Sequence, residues 1–392
     1  VLERIDDERF DLVIPISSAS VRIPLHVDAS LADGGAPLVL ADDASTAMRE
    51  ILTVAAGGSL AEVADGVSRT TVTWAPESVA DHAAVTGYTL PPHLHPTTPA
   101  EPFGFAVPDT LVGACWPSVF SVIGAATTED GRAVVEGLLD LVHLDHAVHL
   151  VGEIPTEATQ LTVIATGGPV SDTEVGRVVQ VQVEVIDGQK QVAVMTERFA
   201  IRGRLGSAEL ADPARAGGAL DDEGSATRKT LRTATITAPE RMTGFAAVSG
   251  DRNPIHTDSA AARLAGLGDP IVHGMWLSAA AQQVLTATDA KNPIPSPRPL
   301  IGWTARYLGM VRTGDEITVR ADRVGMDAGR EIVEVTAKVG DNLVMSATGL
   351  LAAPRTVYAF PGQGIQSKGM GLDARSRSKA ARKIWDRADK HT

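Results

Sequence analysis

The sequence predicts an α+β fold made of two copies of one unit, each a long apolar helix wrapped by an antiparallel sheet. Three observations carry this. In each half a helical apolar stretch is followed by several runs that alternate apolar and polar residues, such as Ile317/Val319/Ala321 and Val333/Val335/Ala337, the pattern of half-buried strands. A helix and a sheet each leave an apolar face in water unless they cover one another. Landmarks also recur at a nearly constant offset: Thr86-Gly87-Tyr88 and Thr243-Gly244-Phe245 are 157 residues apart, Trp116 and Trp276 160. Repetition at domain length means two copies of a fold rather than a solenoid. Finally, 392 residues divide into two or three units at roughly 150 each.

Taken in order, residues 1–68 open on Val1 in mid-pattern, as a piece cut from a longer polypeptide does, and are expected to end a preceding structural region; they carry no motif. The first copy spans 69–204, with a strand at 70–74, a helix at 76–84, the long apolar helix at 108–123 and strands at 132–151, 161–165, 175–186 and 191–201. Residues 203–224 are rich in Gly, Ala and Asp and lack periodicity, so 205–224 reads as a linker. The second copy, 225–353, has a Thr-rich strand at 227–237, a helical pattern from Pro239, a turn-rich loop at 249–254, the apolar helix at 272–287, and strands at 300–310, 316–324, 331–339 and 343–351. After Pro354 the charge changes sign. Residues 355–392 hold nine Lys/Arg against three Asp/Glu, leaving −19 for the rest, which marks a boundary before a linker and a further domain at 354–392.

Composition excludes several classes. Hydrophobic residues at 44% and charged residues at 21% suffice for real cores. A net charge of −13 disfavours nucleic acid or an anionic membrane as partner. The single cysteine, Cys115, excludes internal disulfides and cysteine-based zinc cages. No apolar run approaches the roughly 20 residues of a membrane helix, and no signal peptide is present, so a reducing cytoplasm fits best.

The most informative segment is 250–277, GDRNPIHTDSAAARLAGLGDPIVHGMWL. Pro254 forbids a regular helix between Asp251 and His256, so both side chains can project from one irregular loop toward a common point. GDRNP is also an ordinary turn cluster, and the downstream His273-Gly274-Met275 is what lifts the segment above that. GDxNPxH followed by PxxHGM resembles the MaoC-like (R)-specific hydratases and dehydratases of the hot-dog group. The resemblance implies a double hot-dog fold and the elimination of water from a (R)-3-hydroxyacyl thioester to give the trans-2-enoyl thioester, a hydro-lyase reaction. It implies catalytic roles for Asp251 and His256, one a base near the α-carbon and the other an acid near the β-hydroxyl, without fixing which donates. Gly274, at the mouth of the helix, lets an enolate-like thioester oxygen approach the helix N-terminus. His273 reads as a helix-start hydrogen-bonding residue.

The first copy lacks the pair. The offset puts Leu90 at the place of Asp251 and His95 near that of His256, so this repeat reads as degenerate. It is expected to supply wall for an acyl tunnel from Phe103, Phe105, Trp116 and Phe120, residues that serve equally as core, with Gly113 facing the tunnel. His143, Asp145, His146 and His149 form a metal-like cluster, but strand alternation sends neighbours to opposite faces and no acidic partner motif follows, so no metal is expected.

Residues 357–371, VYAFPGQGIQSKGMG, resemble the opening of malonyl/palmitoyl-type acyltransferases, and no GxSxG nucleophile motif occurs in the chain. A double hot-dog running into such a segment is similar to the order in fungal and actinobacterial type I fatty acid synthases. That resemblance implies an acyl carrier protein as partner, its phosphopantetheine bearing the substrate, no resident cofactor, contacts with other domains of the same synthase, and homo-oligomerisation through it. Arg252, Arg263, Lys291, Arg298, Arg306 and Arg312 outnumber Asp258, Asp269 and Asp289, a basic stretch suited to an acidic carrier or an ordinary solvated one. Two other readings stay open: a stand-alone enoyl-CoA hydratase, and a silent hot-dog scaffold in a megasynthase.

Overall fold

In the computed structural model the described residues are all except 1, 17–18, 27–40, 96–105, 129–130, 132, 136–139, 219–224, 288–297, 355–363, 365–366 and 391–392. They form two compact units, Val1–Ala353 and Pro354–Thr392. The first begins with a three-stranded antiparallel sheet, β1 (Leu2–Arg4), β2 (Arg9–Ile16) and β3 (Ala19–His26), and helix α1 (Ala41–Ala55). The first repeat follows with β4 (Val63–Ala64), β5 (Val67–Trp74), α2 (Glu77–Gly87), α3 (Trp116–Ala125), β6 (Leu141–Leu150), β7 (Thr159–Thr173), β8 (Gly176–Asp187) and β9 (Lys190–Ile201). The second has β10 (Ser225–Thr237), α4 (Thr243–Ser249), α5 (Ser259–Leu264), α6 (Gly274–Thr286), β11 (Leu300–Tyr307), β12 (Glu316–Asp327), β13 (Arg330–Val339) and β14 (Asn342–Leu351).

All repeat strands join one antiparallel sheet in the order β10-β12-β13-β14-β11-β6-β9-β8-β7-β5-β4. The halves meet at β11 and β6, where Gly302 faces His149 and Arg306 faces Asp145. The two strands occupy corresponding places in their repeats and run antiparallel, as a pseudo-twofold axis between the repeats requires. Alternation decides the faces: Val181, Val183 and Val185 of β8 and Val333, Val335 and Ala337 of β13 are buried inward. They pack with the central helices and with Ile51 and Leu52 of α1 in one hydrophobic cluster. The N-terminal region therefore shares the core of the first repeat. Residues 63–68, read as lying before that repeat, belong to its sheet.

Several elements differ from the sequence expectation for physical reasons. The helix expected over 108–123 is a 3-10 stretch, Pro108–Ala114, followed by α3. Pro117 lacks the N–H that a continuous α-helix would direct to Gly113, so the helix breaks at Cys115. Trp116 opens α3 and Trp276 sits in the first turn of α6, nine and ten residues before their helices end. The strand expected over 132–151 begins at Leu141; Arg132 and residues 136–139 lie outside the described residues.

The segment read as a linker is also strapped to the outer face of the sheet. Arg198 donates to Ala211 O, Thr304 to Ala214 O, and Ala216 N–H to Thr348 Oγ1. Ala216 packs there with Val324, Ile332 and Leu350 in a small second cluster. α6 is buried along nearly its whole length, and Arg232 of β10 donates to Val284 O and Ala287 O, placing a cation at its C-terminal end.

In the second unit α7 (Leu372–Arg377) packs on α8 (Lys379–Ala388), with Arg375 paired to Asp386 and lying over Trp385. Of the acyltransferase-like FPGQG turn, residues 360–363 lie outside the described residues. No helix among the described residues is long and apolar enough to cross a membrane.

Candidate active site

α4 ends at Gly250, whose φ of 75° is the left-handed conformation that glycine adopts without steric cost. The chain then turns through Asp251 and Asn253, each of which accepts the backbone N–H two residues on: Asn253 N–H to Asp251 Oδ1 at 3.0 Å and Ile255 N–H to Asn253 Oδ1 at 3.3 Å. These successive Asx turns deliver the chain into a 3-10 turn, Pro254–His256. The loop is what brings Asp251 and His256 to one place. One side-chain donor atom from each of Asp251, His256 and His273 lies within 4.8 Å of the others.

His256 Nδ1 lies 2.9 Å from Ile271 O. A carbonyl only accepts, so Nδ1 carries the proton and the neutral ring keeps its lone pair on Nε2. Burial lowers the His256 pKa, with Asp251 opposing in part, which preserves that basic form. His273, buried at the N-cap of α6, makes no cap bond with its side chain. Its Nε2 donates to Asp251 O at 3.1 Å, so it braces the loop, while its Nδ1 is buried without a partner among the described residues. Burial first, and then His256, hold its pKa well below the usual histidine range. The two rings stack at 3.8 Å and 26°. Stacked imidazoles direct their in-plane nitrogens nearly parallel, and Nδ1 of His256 and Nε2 of His273 are already engaged, so the trio is a poor chelate.

Gly274 opens α6. A Cβ there would lie 3.1 Å from the ring of Tyr307, so only glycine lets the ring close on the helix start. The N–H groups of Trp276 and Leu277 bond His273 O, and those of Gly274 and Met275 lack intrahelical acceptors, as the first turn of any helix does.

These residues line a cavity of about 310 Å³. Its second-repeat wall includes Asp251, His256, Gly274, Met275, Leu277 and Tyr307; the first repeat contributes Phe120, Leu141, His143, Phe199 and Arg202. Of the expected tunnel aromatics only Phe120 is in the wall. Trp116 is buried core stacked on Phe120, and Phe103 and Phe105 lie outside the described residues. Gly113 does not face the cavity: a Cβ there would meet Ser249 O at 2.7 Å.

His95 bonds Leu90 O within its own loop at 2.6 Å and is not in the cavity wall. The first repeat has its own 3-10 turn, Pro92–Leu94. Aligned on its proline with Pro254–His256, it sets buried Leu94 at the His256 position and Thr89 at that of Asp251, rather than His95 and Leu90.

The histidine cluster of β6 is organised differently from the expectation. A bulge between His143 and Asp145 breaks the alternation and puts His143 and His146 on one side. Asp145 instead makes a paired contact with Arg198. Glu197 accepts from both histidines, at 2.9 and 2.7 Å, and His146 Nε2 bonds Asp109 at 3.0 Å. Sequence reasoning missed Tyr307, Phe199 and Arg202, which reach the cavity wall from far off in the chain, and Glu197, which touches that wall only through His143. The basic stretch is thinner than its count: Arg298 pairs with Glu331 and Arg306 with Asp212, Lys291 lies outside the described residues, and Arg252, Arg263 and Arg312 remain.

Residues 222–344 match the family model described as MaoC like domain, and residues 2–58 the one described as Fatty acid synthase, SBS domain. The fatty acid synthase beta subunit stcK of Emericella nidulans is 37% identical over 159 residues, 40% of this chain and 8% of that protein. The fatty acid synthase subunit beta of Gibberella zeae is 39% identical over 163 residues, again 40% and 8%. The chain thus spans less than a tenth of these relatives. Among solved structures, a MaoC-like dehydratase from Phytophthora capsici has a TM-score of 0.52 at 17% identity, covering 74% of this chain and 96% of that one. Another MaoC-like dehydratase reaches 0.53 at 17%, covering 74% and 98%. At such identity the likeness shows the fold, a double hot-dog. Residues 222–344 form a MaoC-like domain, and residues 2–58 before it form a fatty acid synthase SBS domain.

Proposed function

We propose that the chain is the 3-hydroxyacyl-[acyl-carrier-protein] dehydratase part of a type I fatty acid synthase, a hydro-lyase that takes water from a (R)-3-hydroxyacyl thioester. The observation that carries this is the placing of Asp251 and His256 on one loop, at a cavity whose wall includes the start of α6. His256 Nε2, the lone-pair nitrogen of a neutral ring, takes the α-proton. The C–H electron pair forms the double bond as the C–O bond breaks, and the leaving hydroxyl departs as water with a proton from the Asp251/His256 pair. Asp251 Oδ2 is the carboxyl edge the loop leaves unused. The N–H groups of Gly274 and Met275, without intrahelical acceptors, would stabilise the charge that develops on the thioester oxygen.

The SBS domain and the synthase relatives favour this reading over a stand-alone enoyl-CoA hydratase, which shares the chemistry. Arg252, Arg263 and Arg312, with exposed Leu308 and Met310, would receive an acidic carrier protein bearing the phosphopantetheine thioester. The test is formation of enoyl thioester from a 3-hydroxyacyl thioester by the full chain. No product above background would leave the silent scaffold as the reading.

A further inference from the structure

The first-repeat wall of the cavity contains a buried charged relay that the elimination does not use. Asp109, His146 and Glu197 have side chains with no solvent exposure, and they lead in hydrogen-bonded order to His143, 13% exposed and in the cavity wall. Burying four ionisable groups where apolar packing would serve is a poor route to stability. What the relay does achieve is to fix one ring. Glu197 accepts from His143 Nε2, and the ring stacks on Phe199 at 4.5 Å and 14°. Its centroid is 5.3 Å from that of Tyr307, whose own ring closes on Gly274. His143 is therefore one ring removed from the helix start, on the side of Phe120, Leu141 and Phe199. Its Nδ1 has no hydrogen-bond partner among the described residues. An acyl chain with its thioester at Gly274 and its remainder among those apolar residues runs past that nitrogen, stripping its water and offering nothing in return.

Resting on the elimination reading, we propose that His143, held by Glu197, His146 and Asp109 as positioning residues, determines acyl specificity. It disfavours saturated chains long enough to cover its free nitrogen, so the cavity selects short 3-hydroxyacyl thioesters. The experiment compares kcat/KM of the full chain on four-carbon and twelve-carbon 3-hydroxyacyl pantetheine thioesters for the wild type, His143→Phe, His143→Leu and His143→Gln. Phe or Leu should raise the long-to-short ratio on the order of tenfold, the scale of one unpaired buried polar group, while Gln, still polar, keeps it near wild type. Glu197→Gln, which loosens the ring, should move the ratio in the same direction as Phe. Equal losses on both substrates would mean a structural role and overturn the proposal, as would an unchanged ratio in whichever apolar variant folds. Equilibrium binding of the matching saturated thioesters, which cannot eliminate, reads the same selectivity without chemistry. A chain that binds them selectively but forms no enoyl product would refute the elimination reading and leave His143 standing.

Discussion

The rings of His256 and His273 stack at 3.8 Å, yet each donates its single ring proton away from the other, His256 to Ile271 O and His273 to Asp251 O. One histidine is thereby set as a base with a free Nε2, and the other is spent on holding the Asp251 loop. His256→Ala and Asp251→Asn should each reduce dehydration of a 3-hydroxyacyl thioester by at least about 100-fold, the scale of losing a general base or acid. Near wild-type turnover in either would reject the assignment.

His273→Gln separates bracing from catalysis. Glutamine can donate to Asp251 O but cannot stack, so turnover should fall less than in His256→Ala, by about tenfold. A loss as deep as that of His256→Ala would make His273 a proton-transfer residue.

Stability should pass through a maximum near neutral pH. Burial lowers His82 to about 4, and lowers His256 and His273 in the same direction, from an ordinary 6.5. Below about 6.5 the unfolded chain binds protons that the folded chain does not, so stability falls with pH. His146 behaves oppositely. Burial pulls its pKa down, but Glu197 and Asp109 outweigh that and raise it to about 10. Its contribution is complete below 6.5 and is lost as pH rises toward 10. Thermal melts from pH 4 to 10 should show both limbs, with His82→Gln flattening the acid one and His146→Gln the alkaline one. A melting temperature still rising between pH 7 and 10 would contradict the ionised relay.

Gly113→Leu was expected from sequence to block the far end of a tunnel and penalise long chains. With Ser249 O 2.7 Å from any Cβ, it should instead push the loop that carries Asp251. The expected result is a destabilisation of about 1–3 kcal/mol and similar losses on short and long substrates. A loss confined to long chains would restore the tunnel reading.

Deleting residues 354–392 should leave the melting temperature and dehydratase activity of the remainder unchanged, because they make a unit of their own by contacts. Unfolding of the truncated chain would disprove that boundary.

The sequence by itself determined the repeat, the strands and the site loop. Alternation marks Val333, Val335 and Ala337 because a strand's faces follow from its two-residue period. GDRNPIH marks the loop because Gly250, Asp251, Asn253 and Pro254 each fix a local conformation by their own covalent chemistry. The near-constant offset marks the repetition itself, Thr86-Gly87-Tyr88 against Thr243-Gly244-Phe245, and leaves the pairing of β6 with β11 open. What tertiary structure alone decided is non-local. The bulge at His143 cannot be read from β6, because it arises in pairing with β9, and the partners Asp109 and Glu197 lie 37 and 51 residues from His146. The break at Cys115, which divides the first central helix into a 3-10 and an α segment, is not visible in the apolar pattern of 108–123. Sequence periodicity records which face of an element is apolar. Which side chains from distant elements share a cavity depends on bulges, helix breaks and the pseudo-twofold pairing, and these are fixed only when the two repeats close on one another.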